Sequence, residues 1–276
     1  MMKLVADSSA NLTALEGVTY QSVPMTIRAG ERDFVDDETL DTHELLDYLA
    51  AHNGKSGTAC PSLDGWLKAF EGADEIFVLT ISSNLSGTYT SAMAARDVYL
   101  QSHPDVKIHV FDTLSTGPEM QLLAEKLAEL HAKGLPFDVI CEKGREYLAT
   151  TRIFFSLKSL HNLAQNGRVS KITAGAIGIL SIQILSTGSR EGTIQPVEKC
   201  RGEKKTRAAM LQSILDTGYR GGKVRVHHAE NPEAAGALAM ALRERFPEAD
   251  IEIRPCAGLC SYYAERGGVI VGLETM

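Results

Sequence analysis

The chain has 276 residues, enough for one large or two medium domains, and its 44% hydrophobic content can build a sizeable core. A formal net charge of −7 argues against nucleic acid as a partner and allows at most transient contact with an anionic membrane. The odd, scattered set of five cysteines favours a reducing cytoplasm over a disulfide framework.

The first part of the chain alternates between short apolar runs and amphipathic runs. The predicted strands are Lys3–Ala6, Val18–Ile27, Glu75–Ile81 and Lys107–Phe111. The predicted helices are Thr42–Ala51, Leu63–Phe70, Leu85–Leu100, Glu119–Ala132 and Pro136–Ala149. This alternation predicts a parallel sheet with flanking helices in an N-terminal α/β lobe over residues 1–150.

The pattern changes after about residue 150 and predicts a second α/β lobe, residues 151–276, with antiparallel pairing. The predicted strands are Ile153–Phe155, a pair within Gln183–Val197 that turns at Gly188–Gly192, Lys223–His227, Asp250–Ile253 and Gly268–Val271. The predicted helices are Ile172–Leu180, Lys204–Leu215 and Pro232–Phe246. No Gly/Ser-rich linker separates the two parts, so we expect the lobes to share a tight interface.

Small polar residues cluster where the N-terminal strands are predicted to end. The clusters begin at Asp7, Thr58, Ser82 and Asp112. Ligands bind outside the carboxyl ends of strands in parallel α/β sheets, although any single cluster is also explained by helix N-capping. Together they predict a neutral cradle for a carboxylate or phosphate, in which Asn84 caps the helix at Leu85 and the first free amides of that helix act as donors.

Several classes of site are not supported by the motifs. The chain has no GxxxxGK[ST] phosphate loop, no GxGxxG after the first strand and no GxSxG nucleophile elbow. Cys256 and Cys260 have no second Cys/His pair nearby, so no metal site is predicted. We expect no cofactor and no catalytic group.

Distinctive motifs are spread along nearly the whole chain. They are ADSSANL, GTACPS, ISSNLSGTYTSA, FDTLSTG, LHNLAQNGRVSK, ILSIQIL and PVEKCRGEKK. Together these motifs resemble those of the DegV family of bacterial fatty-acid-binding proteins. The resemblance implies two α/β lobes that bury a long-chain fatty acid between them. It also implies a non-enzymatic subunit that presents the acyl carboxylate to a separate fatty-acid kinase subunit.

The resemblance also implies roles for particular residues. Ser82, Ser83 and Asn84 belong to the SSxLSGT element, and Thr58 matches the family threonine that contacts the carboxylate. Cys260 occupies the position of a family histidine that contacts the carboxylate, and a thiol is a poorer donor. Arg201 matches an arginine linked to engagement of the kinase.

An acyl chain also needs an apolar lining, for which plain core packing is the competing explanation. The candidates are Phe154, Phe155, Ile172, Ile177 and Leu180. The alternative function is a small-molecule hydrolase or phosphatase-like enzyme that uses the same polar cluster, with Asp7 and Asp112 as acid/base groups or ligands of Mg²⁺.

Overall fold

A computed structural model describes residues 1–169 and 182–275 of the protein. The strands in chain order are β1 (Met2–Asp7), β2 (Thr19–Val23), β3 (Thr26–Ala29), β4 (Arg32–Val35), β5 (Ser56–Ala59), β6 (Glu75–Thr80), β7 (Lys107–Asp112), β8 (Thr151–Leu157), β9 (Ile182–Gly188), β10 (Ile194–Arg201), β11 (Val224–His228), β12 (Ile251–Pro255) and β13 (Val269–Glu274). The helices are α1 (Thr42–Ala51), α2 (Leu63–Phe70), α3 (Thr88–Ser102), α4 (Pro118–Ala132), α5 (Phe137–Ala149), α6 (His161–Gln165), α7 (Glu203–Asp216), α8 (Pro232–Arg245) and α9 (Gly258–Ala264).

The strands form three sheets. A parallel sheet has the order β2-β1-β6-β7, and a small antiparallel sheet has the order β4-β3-β5. A mixed sheet has the order β10-β9-β8-β13-β11-β12, in which only β11 and β12 pair in parallel. The two-lobed α/β fold with antiparallel pairing in the second lobe is therefore confirmed.

The parallel sheet is apolar on both faces because helices cover both. Successive side chains of a strand point to opposite faces, so Leu4 of β1 packs on the side of α4 and α5 while Val5 packs on the side of α2 and α3. This double coverage explains why β1 is buried along its whole length. Within the part of the chain that the structure describes, no helix combines the length and apolar character needed to cross a bilayer.

One long predicted strand is wrong. The run Val18–Ile27 divides into β2 and β3, which belong to different sheets. Pro24 lies between them, and proline cannot donate a ladder hydrogen bond. The predicted helix Ile172–Leu180 lies outside the described residues.

Helix α4 joins the two lobes. It packs against β6 of the parallel sheet and against β8, β11 and β13 of the mixed sheet, and its first seven residues are all buried. Glu125 of α4 accepts two hydrogen bonds of 2.7 Å from Arg225 of β11. Although burial opposes it, the Arg225 guanidinium holds the pKa of Glu125 below its usual value. The expected tight interface between the lobes is built around this helix.

Replacing Gly272 of β13 by Ala is expected to destabilise the protein by about 1–3 kcal/mol. A Cβ at this position would lie 2.7 Å from the backbone N of Glu119, so α4 would have to move away from the mixed sheet. Urea unfolding at neutral pH measures the change. The matched control is Gly236→Ala inside α8, where no described residue beyond the neighbouring turns of the helix lies within 4 Å of the new Cβ, and helix propensity predicts a gain of up to about 1 kcal/mol. Unchanged stability of the Gly272 variant would contradict the close approach of α4.

Candidate functional site

A cavity with about 850 Å³ of space, including its mouth, lies between the two lobes. Its walls are mostly apolar and come from both lobes. They include Met25, Ile81, Leu85 and Leu114 from the first lobe, and Ile153, Phe155, Leu157, Leu163, Ile194, Leu259 and Ile270 from the second. A concave apolar space with a few polar groups is typical of a small-molecule binding site.

Strand β8 forms part of the apolar wall because its side chains alternate between two faces. Ile153, Phe155 and Leu157 face the cavity, whereas Phe154 packs into the core under α7 and α8. Of the predicted acyl-lining residues, Phe155 therefore lies in the wall and Phe154 does not. Ile172, Ile177 and Leu180 lie outside the described residues.

Part of the cavity wall is polar, and the Arg168 charge acts on Tyr263 there; we call this part the polar end. Thr58 of β5 and Tyr263 of α9 lie in the wall, and their hydroxyl oxygens are 2.9 Å apart. Arg168, which follows Gly167 at φ +72°, also lies in the wall, and its Nε donates to the carbonyl oxygen of Leu85. Among the described residues of the lining, Arg168 is the only charged side chain. This end combines neutral hydroxyl groups with one guanidinium, a set that suits a single carboxylate or phosphate.

Cys260 lies in the cavity wall but is not set up as a donor to a ligand. It is 5% exposed, and its Sγ donates to the carbonyl oxygen of Ser9 at 3.4 Å. Burial raises the pKa of the Cys260 thiol well above its usual value, so the group is neutral at physiological pH. The structure thus places Thr58 and Cys260 in the cavity wall, with the thiol hydrogen directed to the backbone.

Two residues of the SSxLSGT element make hydrogen bonds from the first lobe to the second. The buried Ser82 donates through Oγ to the carbonyl oxygen of Gly192 at 2.7 Å, and Asn84 donates through Nδ2 to the carbonyl oxygen of Glu191 at 2.6 Å. Both acceptors lie in the turn between β9 and β10. These two residues therefore fasten a hairpin of the second lobe to the first, and this hairpin defines a side of the cavity. Ser83 and Asn84 are exposed and lie outside the lining.

The predicted helix start at Leu85 is wrong, and so is the N-cap at Asn84. Helix α3 begins at Thr88 after Gly87, which provides no side-chain cap. The amides of Leu85 and Ser86 donate to the carbonyl oxygen of Ser82 in a turn, so they are not free to bind an anion. The segment instead brings Ser86 into the cavity wall.

Asp7 and Asp112, the acid/base candidates of the alternative function, act as local acceptors. Asp7 is fully buried and accepts from the amides of Ser9 at 2.9 Å and Ile81 at 2.7 Å. Burial raises the pKa of Asp7 to about 6. Asp112 accepts from the amides of Ser83 and Leu114. Within residues 1–169 and 182–275, no cluster of three or more His, Cys, Asp or Glu side chains could hold a metal ion.

Arg168 and Tyr263 are two polar wall residues that were not predicted as site residues. Arg168 follows the Asn166-Gly167 turn, which predicts its loop but not its direction. Tyr263 lies three residues after Cys260, and none of the motifs quoted above includes it. Arg201 ends β10 on the exposed surface of the second lobe, outside the cavity lining.

Known proteins of similar sequence and structure were identified along the full chain. A family model described as "Uncharacterised protein, DegV family" matches residues 1–275. A DegV domain-containing protein of Streptococcus pneumoniae is 41% identical over 276 residues, which cover 99% of this chain and 98% of that protein.

Two solved structures are similar over their whole length. A DegV family protein from Eubacterium eligens, loaded with heptadecanoic acid, is 47% identical with a TM-score of 0.98, covering 100% of both chains. The fatty acid kinase (Fak) B3 protein of Streptococcus pneumoniae, loaded with linoleic acid, is 40% identical with a TM-score of 0.97, covering 100% of this chain and 99% of that chain.

Proposed function

The chain belongs to the DegV family, and on that premise we propose that it binds a long-chain fatty acid in the cavity between its lobes. The observation that carries the proposal is the composition of the cavity, which is apolar along most of its wall and has one guanidinium, Arg168, at its polar end. The fatty acids named in the two similar structures support the same ligand class.

The hydrocarbon tail supplies most of the affinity. Burying roughly fourteen methylenes at about 0.8 kcal/mol each gives about 11 kcal/mol, while association costs roughly 4–15 kcal/mol. The free energy of burying the tail exceeds the cost of association only when the cavity is already formed. Phe155 and its apolar neighbours line such a cavity. The lobes at 1–150 and 151–276 then act as the two walls of that cavity.

The carboxylate occupies the polar end of the cavity in this proposal. A buried anion is heavily penalised unless it is paired and hydrogen-bonded, and the groups present there are Arg168, Ser86 and the hydroxyl pair of Thr58 and Tyr263. Cys260 packs in the wall without donating to the carboxylate, because its thiol hydrogen is directed at the carbonyl oxygen of Ser9. Ser82 and Asn84 contribute indirectly by fastening the hairpin that covers the ligand.

We further propose that the protein is a carrier subunit that presents the carboxylate to a separate fatty-acid kinase and does no chemistry itself. The similarity to the Fak B3 protein supports this role. Arg201 is exposed and lies close in sequence to Lys204 and Lys205, which supports a contact with an acidic partner surface. The free thiols of all five cysteines are compatible with a cytoplasmic location.

The alternative enzyme is not favoured. Asp7 is fully buried and its carboxylate is engaged by nearby amides, and Asp112 is likewise engaged. A hydrolase needs an accessible base or a metal-bound water, and neither carboxylate lies in the cavity lining.

Organic extraction of the purified protein followed by mass spectrometry is expected to release long-chain fatty acid in close to equimolar amount. Protein stripped of lipid is expected to bind palmitate or oleate and to bind octanoate at least about 100-fold more weakly, because a shorter tail buries fewer methylenes. If no fatty acid co-purifies and neither palmitate nor oleate binds, the proposed function is wrong.

A further inference from the structure

We infer that the Tyr263 hydroxyl donates the hydrogen bond to the ligand carboxylate and that Thr58 orients this hydroxyl. The inference rests on the proposed function and specifies its head-group contacts. Tyr263 and Thr58 lie together in the cavity wall at the end that also contains Arg168, and their hydroxyl oxygens are 2.9 Å apart.

Helix α9 explains how the tyrosine reaches the ligand. Cys260 and Tyr263 are three residues apart, so they lie on the same face of the helix, and both line the cavity. The thiol is directed at the carbonyl oxygen of Ser9. The longer Tyr263 side chain instead crosses to β5, where it meets Thr58. The face of α9 that borders the cavity therefore offers a ligand a phenol rather than a thiol.

The hydroxyl groups of Thr58 and Tyr263 together have one hydrogen that they can donate to a ligand. Two hydroxyl groups carry two hydrogens, and their mutual bond uses one of them. In the part of the chain that the structure describes, neither Thr58 Oγ1 nor Tyr263 Oη makes any other hydrogen bond. The second hydrogen is thus available to an acceptor in the cavity, and an anionic oxygen is the strongest acceptor a fatty acid offers.

The chemistry of the two groups decides which one donates outward. A phenol is far more acidic than an aliphatic alcohol, so it makes the stronger hydrogen bond to a carboxylate. The order is then Thr58 Oγ1–H to Tyr263 Oη, and Tyr263 Oη–H to the ligand. Burial raises the pKa of Tyr263, although the Thr58 hydrogen bond and the Arg168 charge act in the other direction. The phenol therefore keeps its hydrogen at neutral pH.

The adjacent Tyr262 provides a matched control. Its hydroxyl lies 2.8 Å from Ser56 Oγ and accepts from Nδ2 of Asn166 at 2.8 Å, and it is outside the cavity lining. Tyr262→Phe removes a buried hydroxyl from the same helix without removing a group from the cavity wall.

The test compares palmitate with 1-hexadecanol, which has the same tail length and a neutral head group, by equilibrium binding to lipid-free protein. Tyr263→Phe is expected to weaken palmitate binding about 10-fold or more and hexadecanol binding by no more than about 3-fold, since a bond to a charged group is the stronger one. Thr58→Val is expected to weaken palmitate binding less than Tyr263→Phe does, and Tyr262→Phe is expected to retain the wild-type ratio of the two affinities.

The outcomes separate this inference from the function on which it rests. If wild-type protein does not bind palmitate, the proposed function fails and the inference fails with it. If wild-type protein binds palmitate and Tyr263→Phe binds it equally well, only the inference is overturned. If Tyr262→Phe reduces the preference for palmitate over 1-hexadecanol as much as Tyr263→Phe does, the effect comes from the shape of α9. If Thr58→Val weakens palmitate binding more than Tyr263→Phe does, Thr58 is the donor to the ligand. Either result overturns the role of Tyr263.

Discussion

Replacing Arg168 by Met is expected to weaken palmitate binding by about 10- to 100-fold. The substitution keeps most of the aliphatic stem but removes the only charge among the described residues of the cavity lining. A charge-assisted hydrogen bond contributes about 1.5–3 kcal/mol, and leaving a carboxylate unpaired at a buried site adds a further cost. Binding of 1-hexadecanol should change little, because that ligand brings no charge to the polar end.

Arg201→Met is the matched control for Arg168→Met. It removes the same charge from an exposed position outside the lining, so palmitate binding should remain at the wild-type level. Isothermal titration calorimetry on lipid-free protein measures both variants, with far-UV circular dichroism to check that they fold. If the Arg168→Met variant binds palmitate with wild-type affinity, the Arg168 guanidinium does not contact the carboxylate.

The stability of the wild-type protein is expected to fall by about 2 kcal/mol more between pH 7 and pH 5 than that of a His227→Gln variant. His227 is wholly buried, its Nε2 lies 2.8 Å from Gln121 Oε1, and burial lowers its pKa to about 3. Its Nδ1 has no partner among the described residues. Below about pH 6.5 the unfolded chain binds a proton at His227 that the folded protein does not, so the free energy of unfolding decreases as the pH falls toward 3.

The wild type must be compared with the His227 variant because Asp7 changes the free energy of unfolding with pH in the opposite direction. Its raised pKa, about 6, makes the folded state bind more protons than the unfolded state between about pH 4 and 6, so its contribution improves as the pH falls. Urea unfolding at several pH values, with exposed His103→Gln as the control, isolates the histidine. If His227→Gln and the wild type show parallel pH dependence, His227 is not the buried neutral group described above.

Helices and strands were predicted well where the pattern of neighbouring residues alone determines them. The short apolar runs of β1, β6 and β7 and the periodicity of α2 depend only on neighbouring residues, and the structure confirms these elements. The break at Pro24 was missed because the residues on either side form one β-prone run, although they pair with strands of two different sheets. Sheet membership is decided by long-range contacts that a local pattern does not contain.

The candidate site was predicted less completely for a similar reason. The position of Thr58 followed from its motif, whereas the role of Asn84 depends on Glu191, which is 107 residues away in sequence. A serine, threonine or asparagine before a helix fits an N-cap equally well, so a local reading could not separate the two. Arg168 and Tyr263 belong to the wall because α6 docks against β5 and α9 docks against β3 and α6, and nothing near either residue in the sequence indicates that docking.

The hairpin tip held by Ser82 and Asn84 has a consequence for the timing of ligand exchange. Gly192 at the tip has φ +74°, and a Cβ there would lie 2.9 Å from Cα of Leu114, so the tip sits directly on the opposite lobe. An alkyl chain that leaves past this tip has to break these contacts. On that route the residence time depends on how often the tip separates from the first lobe as well as on tail hydrophobicity, and a partner that displaces the tip would release the ligand without altering the cavity wall.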